Sequence, residues 1–582
     1  MLDKILSIDD NEALIRLKRD TTLSTDLMNI LLVFDDGDIK ILSEVCEIRD
    51  LMVRVEFLGE FNNNYFIPGI IRKPKLNSDV RLVSTEELDI LLSSNDNESF
   101  SFGDSVLYDR KLNINIDSLF SNHLAIFGNT GSGKTYGVAK MIQSLFDNPN
   151  NIALNSAILL FDTHGEYHSA LKDIPTINPL YKIKHFSTNQ KEGNLINLPI
   201  WLLDIEDIAY LLGATDYTQL TIIEKTLYVL SVISQRDELA RKYKNHIIAK
   251  SIQSIMYSSK SPTLIRSQVF ELLSICSTED INLDINIQGI GYTRAFQKCF
   301  DINKNGTFAE NLLLSNFIER FINEEYENEK AKPIKKCNLE DLEDALNFVI
   351  ISTEIINNEH LYDKAAILKM RLHSLIIKGY GKYFDYHYYV TLEEFIGYLL
   401  TEDGKTRVQV VDFNIEGLTD HFTSFITRIY CKLVHTFAVK LKQRAAIPIH
   451  IFLEEAHRFI STEDRFKLGS DLFETIAKEG RKYGIILTLI SQRPTELSET
   501  VLSQCSSFLL YRTNHPRDLE YMKRAIPDIN TDIIDKQRSL QPGYCIGVGK
   551  AFKIPLVMKL DYPNPTPESS NAKIYNIWSG KF

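Results

Sequence analysis

The chain has no paired cysteines, no long apolar run and no excess of positive charge, and each lack removes a class of protein. Its seven cysteines (Cys46, Cys276, Cys299, Cys337, Cys431, Cys505, Cys545) stand singly, with no C-x-x-C spacing. That excludes a zinc or disulfide framework and fits reduced, structural thiols. No apolar run approaches the roughly 20 residues that span a bilayer, and no basic-then-apolar leader opens the sequence. The expectation is a soluble, cytoplasmic protein with no membrane partner. A formal net charge of −12 counts against a surface that coats itself with nucleic acid, although a basic channel inside an acidic assembly stays open. Internal repeats and low-complexity tracts are lacking too. What is left is an ordinary globular composition, 44% hydrophobic and 24% charged, in 582 residues. Such a length exceeds one core and predicts two to four domains.

The most informative stretch is G-N-T-G-S-G-K-T, comprising Gly128, Asn129, Thr130, Gly131, Ser132, Gly133, Lys134 and Thr135. The apolar run Leu124-Ala125-Ile126-Phe127 before it has the length of a buried strand. After it, Val138, Met141, Ile142 and Leu145 recur at helical spacing. A strand, a glycine-rich turn and a helix in that order make a phosphate-binding loop. The glycines let successive N–H groups point inward, and the positive helix end lies beneath them. Lys134 reaches the β- and γ-phosphates of ATP, and the Thr135 hydroxyl ligates Mg²⁺.

Further apolar runs predict the partners of that strand. Ala157–Phe161 ends in Asp162-Thr163-His164-Gly165-Glu166-Tyr167. Two readings of Asp162 stand side by side: a polar group at the ligand-binding edge of an α/β sheet, or the cap of the next helix. Val408–Phe413 is another strand. Ile449–Leu453 runs straight into Glu454-Glu455-Ala456-His457, which predicts Glu454 on Mg²⁺ and Glu455 polarising the attacking water. Ile485–Ile490 ends in Ser491-Gln492-Arg493-Pro494, placing Gln492 where it can touch a γ-phosphate or the attacking water. Arg481, in Glu479-Gly480-Arg481-Lys482-Tyr483-Gly484, reads either as an arginine finger for a neighbouring subunit or as a surface ion pair. Phe508–Arg512 makes a sixth strand candidate.

The fold class expected is α/β, with a P-loop core, a helical insertion and a small N-terminal β-barrel. The barrel reading covers residues 1–100, where Ile30–Phe34 precedes the turn Asp35-Asp36-Gly37-Asp38 and Met52–Phe57 alternates at period two. A linker is expected at Ser94–Ser99. The core occupies 101–200 and 401–560, split by helices over 201–400, with an extended tail over 561–582. In the insertion Ile208, Leu211 and Leu212, and Leu368, Leu372, Leu375 and Ile376, form apolar helical faces. Asn323–Lys336 reads as an exposed connection. The basic clusters Arg241-Lys242-Tyr243-Lys244 and Lys364, Lys369, Arg371 read as solvated faces rather than nucleic-acid contacts.

In order, H-L-A-I-F-G-N-T-G-S-G-K-T, F-D-T-H-G-E-Y, L-E-E-A-H-R-F, E-G-R-K-Y-G and S-Q-R-P resemble the HerA family of hexameric ATPases, within the HerA/FtsK group of DNA-pumping motors. The resemblance implies a RecA-like core, a homo-hexamer, and translocation along double-stranded DNA. It also implies Lys134 and Thr135 on phosphate and Mg²⁺, Glu455 as the catalytic carboxylate, Arg481 as the inter-subunit arginine and Gln492 as the sensing glutamine. Glu454 stands where the family usually has aspartate, and the tail is expected to brace the adjacent subunit. Such motors act with a separate effector, a nuclease or a sirtuin-like NADase, in DNA end processing or antiphage defence. No nuclease or NADase signature occurs in this chain. The alternative is a ring that binds ATP chiefly to scaffold an effector, with little DNA pumping.

Overall fold

The computed structural model describes every residue except 1, 19–27, 38, 63–64, 93–97, 148–152, 329, 462–470, 528, 570–573 and 580–582. Most of the expected linker at 94–99 lies outside the described residues. The chain divides into two compact units, one of Met1–Asn194, Ile396–Asp464 and Asp471–Phe582, the other of Leu195–Phe395 with Arg465–Ser470. Among the described residues no helix is long and apolar enough to cross a membrane.

The larger unit holds a sheet whose centre is parallel. Its strands run in the order Cys505–Tyr511, His123–Phe127, Ile485–Ser491, Ile449–Glu454, Ala157–Asp162, Val410–Asn414 and Ile183–Ser187. Parallel strands covered on both faces read as unbroken apolar runs, and the second, fourth and fifth of these are buried at every position. Sequence reasoning finds all of them but Ile183–Ser187, whose Lys184 and His185 break the apolar pattern. Beyond Cys505–Tyr511 the sheet turns antiparallel through Tyr544–Gly549, Leu556–Leu560 and Gly103–Ser105. The core is thus α/β with a P-loop strand at its centre, and Ile485–Ser491 is inserted between that strand and the acidic one.

The N-terminal strands correct the barrel expectation. They form one antiparallel sheet in the order Leu2–Ile8, Glu12–Leu17, Met52–Asn62, Lys40–Arg49, Leu31–Asp35 and Asp79–Leu82, with Tyr65–Pro68 beside Met52–Asn62. Among the described residues its two end strands do not pair, so it is open. The reason is visible in Leu31–Asp35, where alternate residues face different cores. Leu32 and Phe34 pack with Ile15, Val53, Val55 and Phe57. Leu31 and Val33 join Leu88, Leu91, Phe100 and the helix and strand of the phosphate loop. A closed barrel buries one face of each strand; in Leu31–Asp35 both faces are buried, and the second lies against the rest of the unit.

The smaller unit is mainly helical. Its helices include Ile205–Leu212, Tyr217–Ile233, Glu238–Met256, Leu339–Ile351 and Glu359–Ile377. Capping boxes at Asp204/Asp207 and Asn338/Asp341 satisfy backbone N–H groups that would otherwise lack partners. Ile208, Leu211, Leu212, Leu368 and Leu372 are buried as their spacing predicts, while Leu375 and Ile376 are only partly buried. The basic clusters are engaged locally: Lys242 with Glu238 at 2.8 Å, Arg241 with Asp280 at 3.4 Å, and Arg371 with the Leu212 carbonyl at 3.0 Å.

His123 opens the phosphate-loop strand and is 1% exposed. Its Nδ1 accepts from the Leu487 N–H at 2.8 Å while Nε2 faces the Ala477 carbonyl at 3.0 Å. Only the neutral ring protonated on Nε2 satisfies both. Burial pushes its pKa from 6.5 down to about 4, and Arg481 adds to the effect. A depressed histidine stabilises the fold above its unfolded pKa and loses that contribution as pH falls through about 6.5 towards 4, a difference of roughly 3 kcal/mol at the lower limit. His123→Gln keeps an acceptor and a donor but does not titrate. The wild-type urea midpoint is expected to fall more steeply than that of His123→Gln between pH 7 and 5, and parallel slopes would refute the assignment.

Candidate active site

Each polar group of the site sits where a buried strand leaves the sheet. Strand His123–Phe127 delivers the loop, and the helix Lys134–Asp147 follows. Two glycines are required by geometry. Gly133 has φ +102°, and a Cβ there would lie 2.9 Å from the Gly543 nitrogen; at Gly128 a Cβ would meet Tyr511 Cβ at 2.5 Å. Lys134 Nζ donates to the carbonyls of Gly128 (2.6 Å) and Asn129 (3.0 Å). Burial lowers its pKa to about 8, opposed by Glu455, Glu454 and Glu166.

A cavity of about 560 Å³ opens beside the loop, lined by Thr130, Gly131, Gly133, Lys134 and Thr135 and, across from them, by Glu454, Glu455 and Gln492. Gly128, Asn129 and Ser132 shape the loop without lining the cavity. Gln492 is the bridge. Its Nε2 donates to Glu455 Oε1 and its Oε1 accepts from the Thr130 hydroxyl. The backbone at Glu455 is left-handed, φ 51°, a conformation of stored strain that tends to mark functional sites. That turn brings His457 back, with Nδ1 3.2 Å from Ser491 Oγ and 3.3 Å from Glu455 Oε2. Glu455 Oε2 is buried and forms no hydrogen bond, its approach to His457 Nδ1 being an ion-pair contact at 3.3 Å. An acceptor in that state is ready to take a proton from a water.

Glu454 is more constrained than sequence reasoning expects. Its Oε2 accepts from the Thr163 N–H (2.9 Å) and hydroxyl (3.2 Å), and its carboxyl is hydrogen-bonded to that of Asp162. Burial and then Asp162 push it well above the usual carboxylate range. Asp162 is pushed up to about 6, by burial and then by Asp412. Neither reading of Asp162 is met as stated: the next helix has Tyr167 as its N-cap with no side-chain cap bond, and Asp162 instead accepts from the N–H groups of Tyr167 (2.8 Å) and His164 (3.2 Å) and organises the turn between them. The residues present fit ATP with Mg²⁺. Backbone amides at a helix start and Lys134 suit phosphates. An all-oxygen set, the Thr135 hydroxyl and a Glu454 carboxylate, suits a hard cation, and a divalent charge relieves the crowding of buried carboxylates.

Arg481 is not brought to this cavity. It lies in the turn Gly480–Tyr483, before the start of strand Ile485–Ser491, and its Nη1 donates to Asn122 Oδ1 at 3.0 Å. The phosphate loop is at the opposite edge of the same sheet, and no arginine is among the described residues lining the cavity.

The extended tail has a seat on its own chain. It crosses its own chain's phosphate-loop helix, where Gln143 Nε2 donates to the Pro565 carbonyl (2.9 Å) and Gln143 Oε1 accepts from the Asn564 N–H (3.0 Å). The Glu568 N–H donates to the Glu166 carbonyl at 2.8 Å. Tyr562, whose ring centroid is 5.3 Å from that of Tyr136, and Pro563 line the cavity. His457 and this tail are the site residues that motif reading misses; the prolines at 563, 565 and 567 signal an extended run but not its destination.

The family described as "Helicase HerA, central domain" matches residues 105–434, more than half of the chain. The chain belongs to the HerA helicase family. Among its relatives, the "DNA double-strand break repair helicase HerA" of Sulfolobus acidocaldarius is 25% identical over 545 residues, covering 90% of this chain and 82% of that one. The "Probable DNA double-strand break repair helicase HerA" of Methanocaldococcus jannaschii is 24% identical over 547 residues, covering 92% and 90%. Among solved structures, VirB4 of Thermoanaerobacter pseudethanolicus aligns with a TM-score of 0.43 at 10% identity, covering 80% of this chain and 97% of that one. This HerA-family protein is an ATPase that uses ATP and Mg²⁺.

The seat of the tail makes a prediction. Gln143→Leu removes two hydrogen bonds to the tail, each worth about 1 kcal/mol. The KM for ATP is expected to rise roughly tenfold with kcat nearly unchanged, and truncation after Asp561 should do the same. An unchanged KM in both variants would separate the tail from nucleotide binding.

Proposed function

We propose that the chain is one subunit of a homo-hexameric ring that hydrolyses ATP to translocate along double-stranded DNA. The observation that carries this reading is the division of the site. Among the described residues the cavity holds a phosphate loop, a carboxylate with an unpartnered oxygen and a bridging glutamine, but no arginine, while Arg481 stands at the far edge of the sheet. A heterologous ring supplies each site with its neighbour's arginine and closes on itself.

In this reading Lys134 and the loop amides hold the phosphates, and Thr135 and Glu454 orient the cation. The bound Mg²⁺ would neutralise charge developing on the phosphates. Glu455 takes a proton from the attacking water through Oε2. Gln492, linked to both Glu455 and Thr130, reports whether the loop is filled. The domain reading keeps residues 1–100 as an N-terminal β module, 101–200 and 401–560 as the motor core, 201–400 as a helical insertion and 561–582 as the tail. Sequential hydrolysis around the ring would move loops that grip DNA by its phosphates. A separate effector, a nuclease or a sirtuin-like NADase, would act with the ring in DNA end processing or antiphage defence; the family resemblance supports this part. The Lys-, Asn- and Ile-rich composition favours the defence setting.

Mixed rings test the shared site. Lys134→Ala and Arg481→Ala subunits should each be inactive alone, by two orders of magnitude or more. An equal mixture should recover roughly a quarter of wild-type ATPase activity, because one interface in four then pairs an intact loop with an intact arginine. A mixture as inactive as its components, in rings shown to assemble, would refute a trans arginine. Long duplex DNA should stimulate the wild type, with stimulation fading as salt rises. A rate indifferent to DNA at every salt would instead favour the ATP-binding scaffold, a reading to which the acidic net charge also lends itself.

A further inference from the structure

Two strands beyond the acidic pair, past the strand of Asp162, the larger unit holds a second cluster. Asp412 and His185 are direct cross-strand partners on the parallel strands Val410–Asn414 and Ile183–Ser187, so their side chains leave the sheet on one side. His168 opens the short helix His168–Leu171 that follows the Asp162–Tyr167 turn. The three side chains converge. His185 Nδ1 is 2.8 Å and His168 Nδ1 3.4 Å from the same oxygen, Asp412 Oδ2, and the two imidazole rings lie with centroids 3.8 Å apart.

A histidine paired with a buried aspartate is a common structural contact, and such a pair accounts for His185. It does not account for the rest. Asp412 is fully buried, yet its Oδ1 has no hydrogen-bond partner. His168 Nδ1 is also a buried atom without one, although it points at the same carboxylate. A divalent cation placed among them would engage His168 Nδ1 and the Asp412 carboxylate, and the three ligand atoms already lie within 4.8 Å of one another.

We propose that His168, His185 and Asp412 bind a divalent transition-metal ion of the zinc class, at a site separate from that of the nucleotide's magnesium. Two imidazoles and one carboxylate suit a borderline ion and are a poor set for magnesium. The ligand–ligand distances of 2.8 and 3.4 Å bracket the about 3.3 Å edge of a tetrahedron built on bonds of about 2.0–2.1 Å. Three protein donors leave a fourth position for water, and the partly exposed side of His168 gives the ion its way in. The site also has a mechanical consequence. His168 is tied to the turn that carries His164 and Glu166 to the nucleotide cavity, so the ion would pin that turn to the sheet.

The test uses the full-length protein stripped with a chelator, kept in excess Mg²⁺, and titrated with Co²⁺ and then Zn²⁺. Wild type should take up about one Co²⁺ per chain, with the intense visible bands of a tetrahedral site, and should release it to Zn²⁺. Zn²⁺ should raise its melting temperature by a few degrees. His168→Gln changes a half-exposed side chain, so its metal-free melting temperature should match that of wild type while the tetrahedral bands and the Zn²⁺-dependent rise are lost. Asp412→Asn provides a second variant, expected to lose the same signals. Equal Co²⁺ spectra in wild type and His168→Gln, or no tetrahedral band in wild type, would overturn the site.

Discussion

Parallel pairing at the centre of the larger unit is the constraint from which the rest of the structure follows. Parallel strands covered on both faces can carry few polar side chains, so the polar groups must leave at the strand ends. Because the strands point the same way, these ends share one edge, and the edge receives a phosphate loop, a glutamine and several carboxylates. Its acidity is a necessary result of that geometry. Asp162, Asp412 and Glu454 stand on adjacent strands with little solvent to separate their charges. The fold tolerates this through the Thr163 donors, the N–H groups of the Asp162 turn and the cations the edge can accept.

How legible this was varies with the physics behind each element. The phosphate loop could be read outright, since its glycines answer a steric demand that few other sequences meet. The acidic pair was nearly as clear, because a buried strand that stops dead at two carboxylates must deliver them to the sheet edge. Asp162 could not be resolved, since capping, ligation and turn-making all place a carboxylate at a strand end, and only its distances to Tyr167 and His164 identify the turn. His457 escaped notice because its approach to Glu455 depends on a left-handed turn at a residue that gives no sign of adopting one.

The misread strands follow a similar logic. Ile183–Ser187 carries a lysine and a histidine and so lacks the apolar signature of a covered strand. Tyr544–Gly549 is interrupted by two glycines, Gly547 and Gly549. Alternation in the N-terminal strands correctly implied β-structure, but period two says nothing about what covers the second face. That was decided by the helix at residues 85–92 and the phosphate-loop layer, and the result is an open sheet where a barrel was expected.

The last segment of the core completes a site begun near residue 128. Gly543 closes against Gly133, its N–H donating to the Ser132 carbonyl at 3.0 Å, and the segment through Ser569 walls the cavity opposite the loop. More than four hundred residues separate Gly128 from that wall. At synthesis rates of about 5–20 residues per second, a ribosome needs roughly 20 to 90 s to deliver one after the other. Throughout that interval the nascent chain carries a phosphate loop without a finished pocket, so the nucleotide gains its full set of contacts only once the far wall has been made.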